Sequence, residues 1–250
     1  MPKPKANSRS SQRQPNHTAS SHEPKSHPAL LFDLDGTLID SSYCHVLAWQ
    51  EALEKGGIEI PAWRIHRRIG MSGGLFVNAL LHEIEKKVDP ARVKRFGKWH
   101  DQAYLRRISQ VRLLPGSKQL LKLLSRIRVP WAIATSGYWK ATAPMLKLLG
   151  VPRRAVVITR DDVARAKPDP DLFIAAAERL GVSIADCIVV GDSVWDMLAA
   201  RRAHALGVGV LTGGLGEDEL ERSGAYRVYS DPLDLLNHLD ELGIRYSRDN

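Results

Sequence analysis

The chain has 250 residues, enough for one or two domains, and its 44% hydrophobic content suffices for a packed core. No run approaches the roughly 18 apolar residues of a membrane helix, and the stretch after Met1 lacks the apolar segment of a secretory signal. The formal net charge is +8, but the stretch 1–28 holds Lys3, Lys5, Arg9, Arg13 and Lys25 against Glu23 alone. The remainder is mildly basic, as suits a protein handling phosphorylated metabolites, and no nucleic-acid recognition module accompanies the charge.

Residues 1–28 are Ser, Pro, Lys, Asn and His with almost no large apolar side chain, so a disordered tail is expected. Ala29–Phe32 then reads as a short strand buried on both faces, and Asp33 and Asp35 fall at its carboxyl end. Open α/β sheets bind ligands at that edge. Gly36 permits a sharp turn, Thr37 offers a hydroxyl or N–H to an anion, and Asp40 or Ser41 caps the helix that follows. The competing reading is that both aspartates are ordinary turn carboxylates.

Helical spacing marks residues 40–55, 61–68, 74–87 and 89–108 with no strand among them, so 41–112 is read as an all-helical insertion. A helix at 117–126 follows the turn at Pro115 and Gly116. Strand and helix then alternate: strands at 129–134, 155–159, 187–190, 206–211 and 226–229, helices at 140–149, 169–180, 193–203 and 232–242. Such alternation implies right-handed crossovers and a mostly parallel, Rossmann-like sheet, an α/β fold. Cys44 and Cys187 fall in a helix and a strand without ligand-like spacing, as reduced thiols in a cytoplasm would.

Three further strand ends or loops carry polar groups. Ile133-Ala134-Thr135-Ser136-Gly137 sets a hydroxyl and turned N–H groups beyond a strand, where phosphate oxygens can be held. Ala166-Lys167-Pro168-Asp169-Pro170 places an ammonium before a proline-stiffened turn. Gly191-Asp192-Ser193-Val194-Trp195-Asp196 gives one acid at a strand end and another four residues on, oxygen ligands of the kind Mg²⁺ takes. Taken singly, each has a plainer reading as turn, solvated lysine or helix cap.

In this order the four segments resemble motifs I to IV of the haloacid-dehalogenase superfamily. The insertion between the first two resembles the C1 helical cap of the subfamily holding phosphoglycolate phosphatases, sugar-phosphate phosphatases and β-phosphoglucomutase. The resemblance implies a core of 29–40 with 113–250, a cap of 41–112, and a Mg²⁺-dependent phosphatase acting through an aspartyl-phosphate. Asp33 is then the nucleophile and Asp35 the general acid–base. Thr135, Ser136, Gly137 and Lys167 hold the phosphoryl group, and Asp33, the Asp35 backbone carbonyl and Asp192 hold the metal. Asp196 helps through water. The implied partner is a small phosphorylated metabolite, with neither nucleic acid nor membrane, for a monomer or homodimer.

The cap stretch Trp63 to Gly74 is the expected specificity loop, where His66, Arg67 and Arg68 either meet an anionic substrate or form a solvated face. Tyr43, His45 and Trp49 resemble the same stretch of β-phosphoglucomutase, in which a histidine couples the general acid to the sugar. His45 is thus a candidate substrate contact, and a phosphomutase is the alternative to a phosphatase. A non-catalytic binding protein of the same fold is a third possibility.

Overall fold

The computed structural model describes residues 27–84 and 89–246, together with Met1. The expected disordered tail, apart from its two ends, and the end of the helix expected over 74–87 lie outside the described residues.

The apolar run at Ala29–Phe32 forms β1, and its alternation places Leu30 and Phe32 in one hydrophobic layer and Ala29 and Leu31 in the other. A two-residue strand β2 (Ile39–Asp40) leads to the cap helices α1 (Ser42–Lys55), α2 (Ala62–His66), α3 (Gly73–Ile84) and α4 (Pro90–Arg107). The chain returns through β3 (Arg112–Leu113), antiparallel to β2, so the two crossings between cap and core lie side by side. This pair was not expected from the sequence.

Beyond it come α5 (Ser117–Arg126), β4 (Trp131–Ala134), α6 (Trp139–Leu149), β5 (Val156–Ile158), α7 (Asp171–Leu180), β6 (Cys187–Gly191), α8 (Val194–Ala203) and β7 (Leu206–Val210). The chain closes with α9 (Glu217–Ser223), β8 (Ala225–Tyr229) and α10 (Pro232–Asn237). The sheet is parallel throughout, in the order β5-β4-β1-β6-β7-β8. β1 is therefore central, between β4 and β6. The carboxyl ends of all three strands meet at one edge.

Both faces of the sheet are covered. Leu120 and Leu124 of α5, Met145 and Leu149 of α6, and Leu235 of α10 pack with Phe32 and Ile133 on one side. Phe173 and Ala176 of α7 and Ala200 of α8 pack with Leu31 and Val189 on the other. Each large side chain so buried contributes roughly 1.5–3 kcal/mol, which holds the strand ends in register. The cap has a hydrophobic cluster of its own, in which Trp49, Leu53, Ile65, Phe76, Leu80 and Phe96 come from all four of its helices.

Local signals end the helices that carry site residues. Asp89 accepts from the Ala91 N–H at the start of α4, with Pro90 as its first residue. Ser193 and Asp196 form a capping box at the start of α8. Ser41 precedes α1 without capping it, because its hydroxyl is turned to Asp35.

Candidate active site

Asp33 follows the last residue of β1, Thr135 that of β4 and Asp192 that of β6, so a parallel sheet brings all three to one edge. Lys167, in the loop before α7, completes a buried group: its Nζ lies 2.5 Å from Asp33 Oδ1 and 2.8 Å from Asp196 Oδ1. Carboxylate oxygens of Asp33, Asp192 and Asp196 all lie within 4.8 Å of one another.

Three buried carboxylates against one ammonium leave a negative excess. Burial, with Asp196 and Asp35 adding repulsion, pushes the Asp33 pKa up to about 7 although Lys167 opposes it. Burial and the charges of Asp196 and Asp33 likewise push Asp192 well above the carboxylate range. Lys167 is held charged by Asp196 and Asp33 against its own burial. An all-oxygen, electron-rich donor set of this kind fits a hard divalent cation such as Mg²⁺.

The side chain of Asp35 turns away from this cluster. Its Oδ1 accepts from the Ser41 hydroxyl at 2.6 Å, faces His45 Nε2 at 3.2 Å and accepts from the Tyr104 hydroxyl at 3.4 Å. Its Oδ2 accepts from the Thr135 hydroxyl at 3.5 Å. Burial acts to raise the Asp35 pKa, but the neighbouring His45 and the Ser41 hydroxyl hold it down to about 2. Two aspartates two residues apart thus have environments that push their proton affinities in opposite directions, Asp33 up and Asp35 down in the metal-free protein.

A cavity of about 530 Å³ between cap and core is lined by Asp33, Asp35, His45, Thr135, Ser136, Gly137 and Lys167. The Gly137 N–H donates to Thr135 Oγ1 at 3.0 Å, which orients the hydroxyl. The cap side adds the apolar Trp49, Ile69, Met71, Phe76 and Val93 together with the charged Arg68, Lys94 and Lys98. The cap is shut over the core, with the Ser72 N–H donating to the Lys167 carbonyl at 3.0 Å and the Ser136 hydroxyl to that of Gly70 at 3.3 Å.

Residues 27–204 match the family described as haloacid dehalogenase-like hydrolase. The chain belongs to this family. It is 32% identical over 184 residues to hexitol phosphatase A of Escherichia coli (strain K12), covering 71% of this chain and 81% of that relative. It is 31% identical over 217 residues to a β-phosphoglucomutase of Bacillus subtilis (strain 168), covering 84% and 93%. A solved hydrolase from Pseudomonas syringae superposes with a TM-score of 0.84 at 50% identity, over 86% of this chain and 99% of that one. No helix among the described residues is long and apolar enough to cross a membrane.

Several placements in this haloacid dehalogenase-like hydrolase differ from the sequence reading. The Thr37 hydroxyl donates to Asp192 Oδ1 at 2.9 Å and its N–H faces the Leu34 carbonyl, so Thr37 supports a carboxylate rather than meeting an anion. Asp196 is engaged at both oxygens, by Lys167 at Oδ1 and by Ser193 at Oδ2, which makes it the anchor of Lys167. Of the cap's basic run only Arg68 lines the cavity, and it is paired with Glu83. Arg67 pairs instead with Glu219, and His66 lies 2.7 Å from the Gly213 carbonyl, so both tie the cap to core loops.

Sequence reasoning took Ser41 only as a helix cap and did not single out His100, Tyr104 or Gly213. The last three sit in an ordinary amphipathic helix or a plain glycine loop, and only the closed fold brings them to the aspartates.

Proposed function

We propose that this hydrolase is a Mg²⁺-dependent phosphatase that cleaves a small phosphomonoester, phosphoglycolate-like or sugar-phosphate-like, through an aspartyl-phosphate on Asp33. The observation that carries the proposal is the division of labour around one cavity: Asp33 against Lys167 on one side, Asp35 against His45 on the other. Hexitol phosphatase A among the relatives supports the same chemistry.

Asp33 attacks phosphorus and the bond to the leaving oxygen breaks, with Asp35 handing that oxygen a proton. Thr135, its hydroxyl oriented by the Gly137 N–H, with the Ser136 N–H and Lys167, takes up charge on the non-bridging oxygens. Asp33, Asp192 and the Asp35 backbone carbonyl would hold Mg²⁺, which when bound neutralises the carboxylate excess and polarises the phosphoryl group. Asp35 then takes a proton from the water that hydrolyses the aspartyl-phosphate. The shut cap keeps bulk water from the first step and must open for product to leave.

The unpaired thiols of Cys44 and Cys187 support a reducing, cytoplasmic setting for a monomer or homodimer. The runner-up is a phosphomutase, favoured by the β-phosphoglucomutase relative and by the contact between His45 and Asp35. The test is phosphate release from a panel of phosphorylated metabolites with Mg²⁺, by the wild type and by Asp33→Asn. Turnover by the wild type and none by the near-isosteric variant is expected. Activity retained in Asp33→Asn would remove Asp33 from the role, and release from no ester would favour a binding protein.

A further inference from the structure

Behind Asp35 the site continues through side chains to which the reaction above gives no part. His45 Nδ1 lies 3.1 Å from Nε2 of His100, and His100 Nδ1 lies 3.1 Å from Oδ1 of Asp101. With the 3.2 Å contact from His45 Nε2 to Asp35 Oδ1, these make an unbroken line from the cavity floor to its rim. The rings are held by stacking. His45 lies against Tyr104 with centroids 3.9 Å apart at 8°, and His100 against Trp49 at 4.1 Å and 19°. Fixed planes leave each ring nitrogen a single partner.

Hydrogen-bond bookkeeping along the line has one consistent solution. A carboxylate only accepts, so Asp101 requires the hydrogen of His100 to sit on Nδ1. His100 is buried, and burial pushes its pKa down to about 4 although Asp101 opposes this, so the ring is neutral and its Nε2 accepts. That Nε2 therefore receives the Nδ1–H of His45. His45 is left with Nε2 3.2 Å from Asp35 Oδ1, where two lone pairs would face each other unless one hydrogen lies between them. With the opposite tautomers, the lone pair of His100 Nδ1 would confront the Asp101 carboxylate at 3.1 Å.

We propose that His100 and Asp101 are positioning residues for proton transfer, fixing both imidazole tautomers so that His45 and Asp35 hold one transferable hydrogen for the leaving group. The inference rests on the phosphatase reading above. When the P–O bond breaks, its electron pair stays on the leaving oxygen, which takes the hydrogen of the His45–Asp35 pair. The attacking water later returns one hydrogen to that pair as its oxygen bonds to phosphorus and the bond to Asp33 breaks. Nothing is oxidised or reduced.

Two measurements on the full chain test this. Nitrogen-15 imidazole spectra should show His100 neutral with its hydrogen on Nδ1, and Asp101→Asn, whose amide can donate as well as accept, should lose that preference. A hydrogen on Nε2 of His100 in the wild type overturns the proposal. The second measurement compares an alkyl ester, glycerol 3-phosphate or the fastest alkyl phosphate of the panel, with 4-nitrophenyl phosphate, whose leaving group needs no proton. The alkyl-to-aryl ratio of kcat/KM, which reports the leaving-group step and not the shared hydrolysis of the aspartyl-phosphate, should fall roughly tenfold or more in Asp101→Asn and in His100→Phe, which keeps a ring in the stack. An unchanged ratio, whether both rates fall together or neither falls, marks a merely structural role and overturns the proposal. Should the wild type release phosphate from no ester, the phosphatase reading fails by itself, and the spectra still decide the tautomers.

Discussion

A Cβ placed on Gly213 would lie 1.8 Å from Oδ2 of Asp192. The loop after β7 is therefore packed directly onto a carboxylate assigned to the metal, and the same loop receives His66 from the cap at the Gly213 carbonyl. Gly213→Ala must push either the loop or Asp192 aside, since backbone meets a short side chain there. The expected result is a folded protein whose Mg²⁺ requirement rises roughly 10- to 100-fold, the usual scale for disturbing the support of a metal ligand. Mg²⁺ activation curves of wild type and variant check this; superimposable curves would show that the loop yields without moving Asp192.

Asp192 itself is a place where function is set against stability. Its burial beside Asp33 and Asp196 pushes its proton affinity up in the metal-free protein. Asp192→Asn removes one charge from the cluster while its carbonyl oxygen can still accept from Thr37. In EDTA the variant should melt higher than the wild type, by roughly 2–4 °C for each kcal/mol of repulsion relieved. Mg²⁺ should raise the melting temperature of the wild type and leave the variant unchanged. A variant that melts lower in EDTA would mean that the ion pairs around Lys167 already neutralise the group.

The raised pKa of Asp33 gives a pH dependence whose sign can be worked out. Between its ordinary value of 3.8 and about 7 the native metal-free protein holds a proton that the unfolded chain has lost. The contribution of Asp33 to stability falls as pH rises through that window and levels off above it. Asp35, held near 2, is ionised in both states across most of the window and adds no slope there. His100, held near 4, adds the opposite slope in the acid part of the window, so the drop in melting temperature from about pH 5 to about pH 8 in EDTA should be larger for the wild type than for Asp33→Asn, which lacks the Asp33 proton. Mg²⁺ needs the ionised carboxylate, so its stabilising shift should be larger at the higher pH. Equal shifts at both would place the titration elsewhere.

Much of this architecture was legible because the sheet writes itself as short apolar runs, each followed at once by a polar residue of the candidate site: Phe32 then Asp33, Ala134 then Thr135, Gly191 then Asp192. What was not legible depends on tertiary contact. The strands β2 and β3 have two residues each and leave no periodicity to read. The seven residues of α9 bury only Leu220, too little for an apolar face. His100 and Tyr104 follow ordinary helical spacing in α4, and nothing local distinguishes a core histidine from one aimed at His45. The basic run at Arg67 and Arg68 was legible as charge but not as partner, because Glu219 and Glu83 are distant in sequence.

Hydrolase and mutase differ in what must happen after the first step, and the cavity bears on that difference. A mutase has to keep its aspartyl-phosphate from water while a bisphosphorylated intermediate turns end for end, so it needs a cation in the cap to hold the second phosphate. The cations lining the cap side of this cavity are Arg68, already paired with Glu83, and Lys94 and Lys98, both exposed on α4. No unpaired, enclosed arginine faces the phosphoryl site among the described residues. Phosphate release should therefore outrun isomerisation when β-glucose 1-phosphate is supplied with a bisphosphate primer and Mg²⁺, and Arg68→Ala should alter KM more than the partition between the two products. The measurement is simultaneous assay of free phosphate and glucose 6-phosphate. Isomerisation well ahead of release would assign the chain to the mutases, and Arg68→Ala abolishing it would name the missing anchor.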